Sequence, residues 1–130
     1  MPNHEMTLSQ LTAAQRDFDA ARATTFAWSS EITATDIRPL IHNALSLAGE
    51  AGEIANIVKK LERGDIPFKH AMRELPGELA DVLIYIMKIA YQSRIDLTDA
   101  VEQKMLINSR RFPASAQPHY DDSPSGRLLQ

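Results

Sequence analysis

With 130 residues and 44% hydrophobic content, the chain has room for one domain around a modest core and not for a second. Its 14 Lys and Arg against 17 Asp and Glu leave a formal charge of −3, too mild to argue for wrapping a nucleic-acid polymer. The absence of cysteine excludes disulfides, a thiolate nucleophile and Cys-based zinc sites, and the 4 histidines form neither HExxH nor ExxH.

Four helical patterns separated by short breaks cover most of the sequence, with no competing period-2 run, so the expected fold is all-α. The first pattern spans about 8–26, opened by Thr7 or Ser9 and anchored by Leu8, Leu11, Phe18 and Ala21. After the polar segment SSEITATD, Asp36 can cap a second helix over about 37–63 that ends at Gly64. A third pattern covers about 68–93, where Pro76-Gly77 implies either a kink or a fresh helix starting at Pro76. Asp96 caps a last helix over about 97–111, stopped by Phe112-Pro113. One domain over 1–112 is therefore expected, with 113–130, rich in Pro, Ser and Asp, as a loose tail. The N-terminal stretch has no apolar signal region and no segment approaches membrane-spanning length, so a cytoplasmic protein with no membrane partner is expected.

On the second helix, Leu40, Ala44, Leu47, Ala51, Ile54, Val58 and Leu61 recur at spacings of four and three, a seam suited to packing on another helix. Glu50 and Glu53 fall on the flank of that seam with Asn43 and Ser46. The third helix repeats the theme: Glu78 and Asp81 share a stripe with Glu74, Tyr85 and Lys88, and apolar residues cover most of the remaining circumference. Two such carboxylate pairs on packed helices repel unless a cation sits among them. Oxygen-only ligands favour Mg²⁺, with Mn²⁺ as a substitute, and Mg²⁺ leaves positions for substrate phosphates. The alternative is that each pair is a solvated helix edge. Lys104, Asn108 and Arg111 form a narrow stripe on the last helix, on the side of Leu97 and Val101. They suit a bound triphosphate, or simply complement the helix dipole and reach outward. Helices apolar on two sides in so short a chain also imply a bundle completed by oligomerisation.

The blocks AGEAGE, GELADVLIY and KMLINSRRFP, in this order over about 38–113, resemble the MazG-like nucleotide pyrophosphohydrolases, and within them the dCTP pyrophosphatase branch. The resemblance implies a four-helix all-α NTP pyrophosphatase fold, a homodimer or homotetramer, and cleavage of a nucleoside triphosphate between its α- and β-phosphates in a nucleotide-pool house-cleaning role. It also implies metal binding at Glu50, Glu53, Glu78 and Asp81, with Glu50 or Glu53 positioning the attacking water. Lys59, Lys60, Lys104 and Arg111 become candidate phosphate contacts and Asn108 a sugar or phosphate contact. Trp28, with Phe26 beside it, is a candidate base platform or plain packing, and Tyr85 is weighed the same way. Phosphoribosyl-ATP hydrolysis is the nearest rival within the superfamily, and a non-catalytic helical oligomerisation or regulatory module is the rival outside it.

Overall fold

The computed structural model describes residues 5–25 and 28–115; Phe26 and most of the expected tail lie outside them. Four helices carry the described chain: α1 (Leu8–Ala20), α2 (Arg38–Glu62), α3 (Phe68–Gln92) and α4 (Leu97–Arg111).

Thr7 opens α1 with a reciprocal capping box: its hydroxyl accepts from the Gln10 amide, while the Gln10 side chain accepts from the Thr7 amide. The helix stops at Ala20, earlier than its apolar pattern suggests, because tight turns through Arg22 and Thr25 take over the backbone bonding. Its expected anchors are only partly covered, and the one fully buried α1 residue is Asp19. The segment that follows docks on the end of α3 through the Ile32 amide, which donates to the Gln92 carbonyl at 2.9 Å. Asp36 then receives both the guanidinium and the backbone amide of Arg38, which hold its carboxyl down at about 2, but α2 starts one residue later than expected: its N-cap is Ile37, with no side-chain cap bond, and Pro39 follows in the first turn.

Gly64, at φ 77°, closes α2 in the left-handed conformation that glycine adopts without a Cβ clash. α3 then runs unbroken through Pro76, and no new helix starts there. Proline forgoes one helical hydrogen bond, but Pro76 and Gly77 lie on the exposed side, where water can satisfy the orphaned carbonyl. α3 ends at Ser93, after which Arg94 takes a positive φ of 56° and the Ile95 amide returns to the Ala90 carbonyl. Asp96 caps α4 by accepting from the Asp99 amide.

α2 and α3 form the most extensive helix pair; Asn43 meets Gln92 and Glu50 meets Glu78 and Asp81, so the two run antiparallel. α1 packs on α3, and α4 touches α1, where the Ser9 and Thr98 hydroxyls lie 3.0 Å apart. The packing face of α2 is rotated from the expected seam. Asn43 and Ile57 are buried and Glu50 lies half-buried between them, whereas Ala44, Ala51 and Val58 are exposed. One neighbour cannot cover an apolar stripe this wide, and α3 takes the edge that carries Asn43, Glu50 and Ile57. Leu79 and Leu83 of α3 are likewise exposed, and α4 carries no buried residue, so Val101 and the basic stripe lie on an open helix and not near a bundle interior.

The core beneath this arrangement is partly polar. Asn43 donates to Gln92 at 2.6 Å and Gln92 donates to the Trp28 carbonyl at 3.0 Å. Asp19 accepts from Gln15 and Tyr91 and pairs with the Lys88 ammonium at 3.3 Å. Tyr91 has its pKa raised, first by burial and then by the Asp19 carboxylate to which it donates.

Candidate metal centre and cleft

The rotation of α2 brings Glu50 across to α3, where Glu78 and Asp81, one turn apart, project on the same side. One carboxylate oxygen from each of the three lies within 4.8 Å of the others. Glu78 registers the crowding: loss of solvation raises its pKa, and the charges of Glu50, Glu53, Asp81 and Glu74 push it the same way. Three hard oxygen donors at this separation, one of them holding its proton too tightly, suit a divalent cation whose charge would reverse that shift. Glu53 is exposed and outside the group of three, though near enough for its charge to act on Glu78.

The cluster opens on a cleft of about 360 Å³ between α1, α2 and α3. Glu50 and Asp81 line one part of it, Phe18, Ile84 and Tyr85 supply apolar and aromatic surface, and Gln15, Asp19 and Lys88 supply polar atoms. Charged and polar groups converging beside an apolar and aromatic wall can orient a small polar molecule. A smaller cavity of about 240 Å³, between α1 and the start of α4, contains none of the clustered carboxylates.

Of the residues singled out from the sequence, Glu50, Glu78 and Asp81 come together and Tyr85 lines their cleft. Trp28 stacks on His42, with ring centroids 5.1 Å apart, and does not line it. Lys59 and Lys60 occupy the last turn of α2, more than two turns beyond Glu50, while Lys104, Asn108 and Arg111 lie on α4. None of these five lines the cleft. Sequence reasoning missed Gln15 and Asp19, which are polar enough to read as surface, and took Phe18 only as an apolar packing anchor of α1. Lys88 left a signal: it is a charge inside the otherwise apolar run VLIYIMKIA.

Residues 40–114 match the model of the MazG nucleotide pyrophosphohydrolase domain. The chain is 36% identical to dCTP pyrophosphatase 1 of Homo sapiens, over 86% of this chain and 80% of that protein. It is 33% identical to dCTP pyrophosphatase 1 of Mus musculus, over 92% and 83%. A shorter match, 32% identical over 53% of this chain and 62% of the relative, is to the Gene 37 protein of Mycobacterium phage L5.

Proposed function

Because the chain belongs to the MazG nucleotide pyrophosphohydrolase family and is a nucleoside triphosphate pyrophosphatase, we propose that it uses Mg²⁺ to hydrolyse pyrimidine deoxynucleoside triphosphates of the dCTP class. Water adds at phosphorus, the bond to the α–β bridging oxygen breaks, and a nucleoside monophosphate and pyrophosphate leave. The observation that carries the reading is the Glu50, Glu78 and Asp81 cluster at the mouth of a nucleoside-sized cleft.

In this reading Glu50, Glu78 and Asp81 hold the cation, which supplies charge neutralisation at the phosphates and a more acidic water. Glu53, at the edge of the cluster, joins them as a ligand or, as Glu50 also could, orients the attacking water and accepts its proton. Tyr85 contacts the nucleoside from the cleft wall. The remaining groups depend on assembly: a homodimer or homotetramer would cover exposed Leu45, Phe68 and Met105. It would also bring Lys104, Asn108 and Arg111, with Lys59 and Lys60, to the phosphates, and Trp28 to the base. Removal of damaged or surplus deoxynucleotides in the cytoplasm is the corresponding role.

The test is turnover of canonical and modified ribo- and deoxynucleoside triphosphates, with Mg²⁺, with Mn²⁺ and with neither, scored by chromatography for monophosphate and pyrophosphate. Metal-dependent pyrophosphate release from a pyrimidine deoxynucleotide is expected. Turnover of phosphoribosyl-ATP alone would move the protein to the rival branch, and no turnover on any of them would remove the reading.

A further inference from the structure

The cavity of about 240 Å³ that lies away from the carboxylates adjoins a second hollow of about 190 Å³, and Arg16, Tyr91 and Arg94 line both. Each alone is smaller than an ordinary small-molecule site, but together they reach that size. The helix α1 stands between them and the nucleotide cleft: Thr12 and Arg16 line the former, whereas Gln15 and Asp19 line the latter.

Two guanidinium groups on one wall repel each other unless an anion lies between them. Among the described residues, Arg16 meets only the carboxylate of its neighbour Asp17, at 3.5 Å with both side chains exposed, and its charge reaches the Tyr91 hydroxyl. Arg94 gives an N–H to Glu31 at 2.9 Å, again between exposed side chains, where an ion pair contributes little. That bond leaves most of the five donors of Arg94 unused. Asp96 is the other acid on the wall, and its carboxylate is engaged in capping α4.

Arg94 also stands where glycine would serve the backbone better. Its amide donates to the Tyr91 carbonyl and the Ile95 amide to the Ala90 carbonyl, a helix-ending turn whose left-handed residue is usually glycine. At φ 56° an arginine is strained, so what the position gains is the side chain, and strain of this kind gathers at ligand sites. Nearby, the Ser9 and Thr98 hydroxyls share one hydrogen bond, so one of their two protons remains for another acceptor. Ala13, Ile95 and Leu97 add apolar lining.

We propose that the two hollows form a second binding site that takes a phosphomonoester, its phosphate bridging Arg16 and Arg94 and its organic part resting on Ala13, Ile95 and Leu97. A phosphate has three terminal oxygens to share between two planar forks, whereas the two oxygens of a carboxylate are filled by one. The site is separate from the carboxylate cleft and does not depend on the nucleotide reading.

The experiment is calorimetric titration of the full chain in EDTA, its helicity checked by circular dichroism, with ribose 5-phosphate, deoxycytidine monophosphate, inorganic phosphate and ribose. Without metal the carboxylate cluster repels phosphates, so binding reports the second site. Both phosphomonoesters should bind and ribose should not, while inorganic phosphate, lacking an apolar part, should bind about tenfold more weakly. Either order between the two esters supports the site and tells a sugar phosphate from a nucleotide as its occupant. Arg16→Gln and Arg94→Gly should each weaken the binding about ten- to a hundredfold, the loss of a charge-assisted contact. The same losses in ribose 5-phosphate binding should appear with Mg²⁺ present. Because glycine suits the left-handed turn, Arg94→Gly should keep or raise the Tm. Triphosphate turnover should stay within about threefold in both variants, since neither residue lines the cleft. No binding of either ester, inorganic phosphate binding as tightly as the esters, or unchanged binding in either variant overturns the proposal.

Discussion

Glu78 lies among four other acidic side chains whose charges act on it, which makes its protonation a reporter of the whole cluster. A carboxyl whose pKa is raised by folding binds its proton more tightly folded than unfolded. The metal-free fold therefore loses stability as pH rises from the ordinary glutamate range through the folded value. Thermal unfolding without metal should accordingly show a lower Tm near pH 8 than near pH 5 from this group. Glu78→Gln should reduce that slope, and Mg²⁺ should raise the intact protein's Tm more at the higher pH, where no proton competes for the site. Glu50→Gln and Asp81→Asn should each lower turnover roughly a hundredfold or more while circular dichroism stays helical. A retained rate would show that the cluster is only a charged helix edge. Gln92 tests the other polar centre: it is 2% exposed and joins Asn43 to the Trp28 carbonyl, so Gln92→Ala should cost about 2–3 kcal/mol in denaturant unfolding without changing metal affinity.

Each helix is long enough to be set by local signals, and most ends obey them: the Thr7 box, Gly64 and Asp96 act where their residue types imply, whereas α2 is capped at Ile37 and not at Asp36. Pro76 is the other exception. It would break an isolated helix, yet packing against α2 and α1 carries α3 across it. Because Pro76 is exposed and the backbone on both sides is already helical, Pro76→Ala should stabilise the protein by about 1–3 kcal/mol, less any entropy that proline removes from the unfolded chain. Mg²⁺ affinity should stay within about threefold, since Glu78 and Asp81 already sit on regular helix. A large affinity change would mean that the proline sets their orientation. The rotation of α2 is also an element-scale result. A heptad pattern identifies a stripe but not which edge of it meets the nearest neighbour, and here the edge with Glu50 does.

Among the described residues, apolar surface remains open on all four helices, most of all at Leu45 of α2 (70% exposed), Phe68 of α3 (67%) and Met105 of α4 (65%). Open apolar area of this kind on so small a chain marks a surface for association. Light scattering should find a dimer or tetramer, and Met105→Glu should shift it toward monomer. If α4 supplies phosphate contacts only across that interface, the same variant should lose turnover while still binding Mg²⁺ at Glu50, Glu78 and Asp81. A fully active monomer would place the phosphate contacts elsewhere.

From sequence alone came the all-α class, the four helices, most of their ends and three carboxylates that meet, because helix periodicity, capping and charge within apolar runs are local properties. Tertiary structure decided which edge of α2 faces α3, that Asp19 of α1 is buried and paired with Lys88 of α3, and that the basic stripe of α4 does not line the carboxylate cleft of the single chain. Those facts depend on how helices dock, and docking is set by side chains far apart in sequence whose pairing no local spacing records.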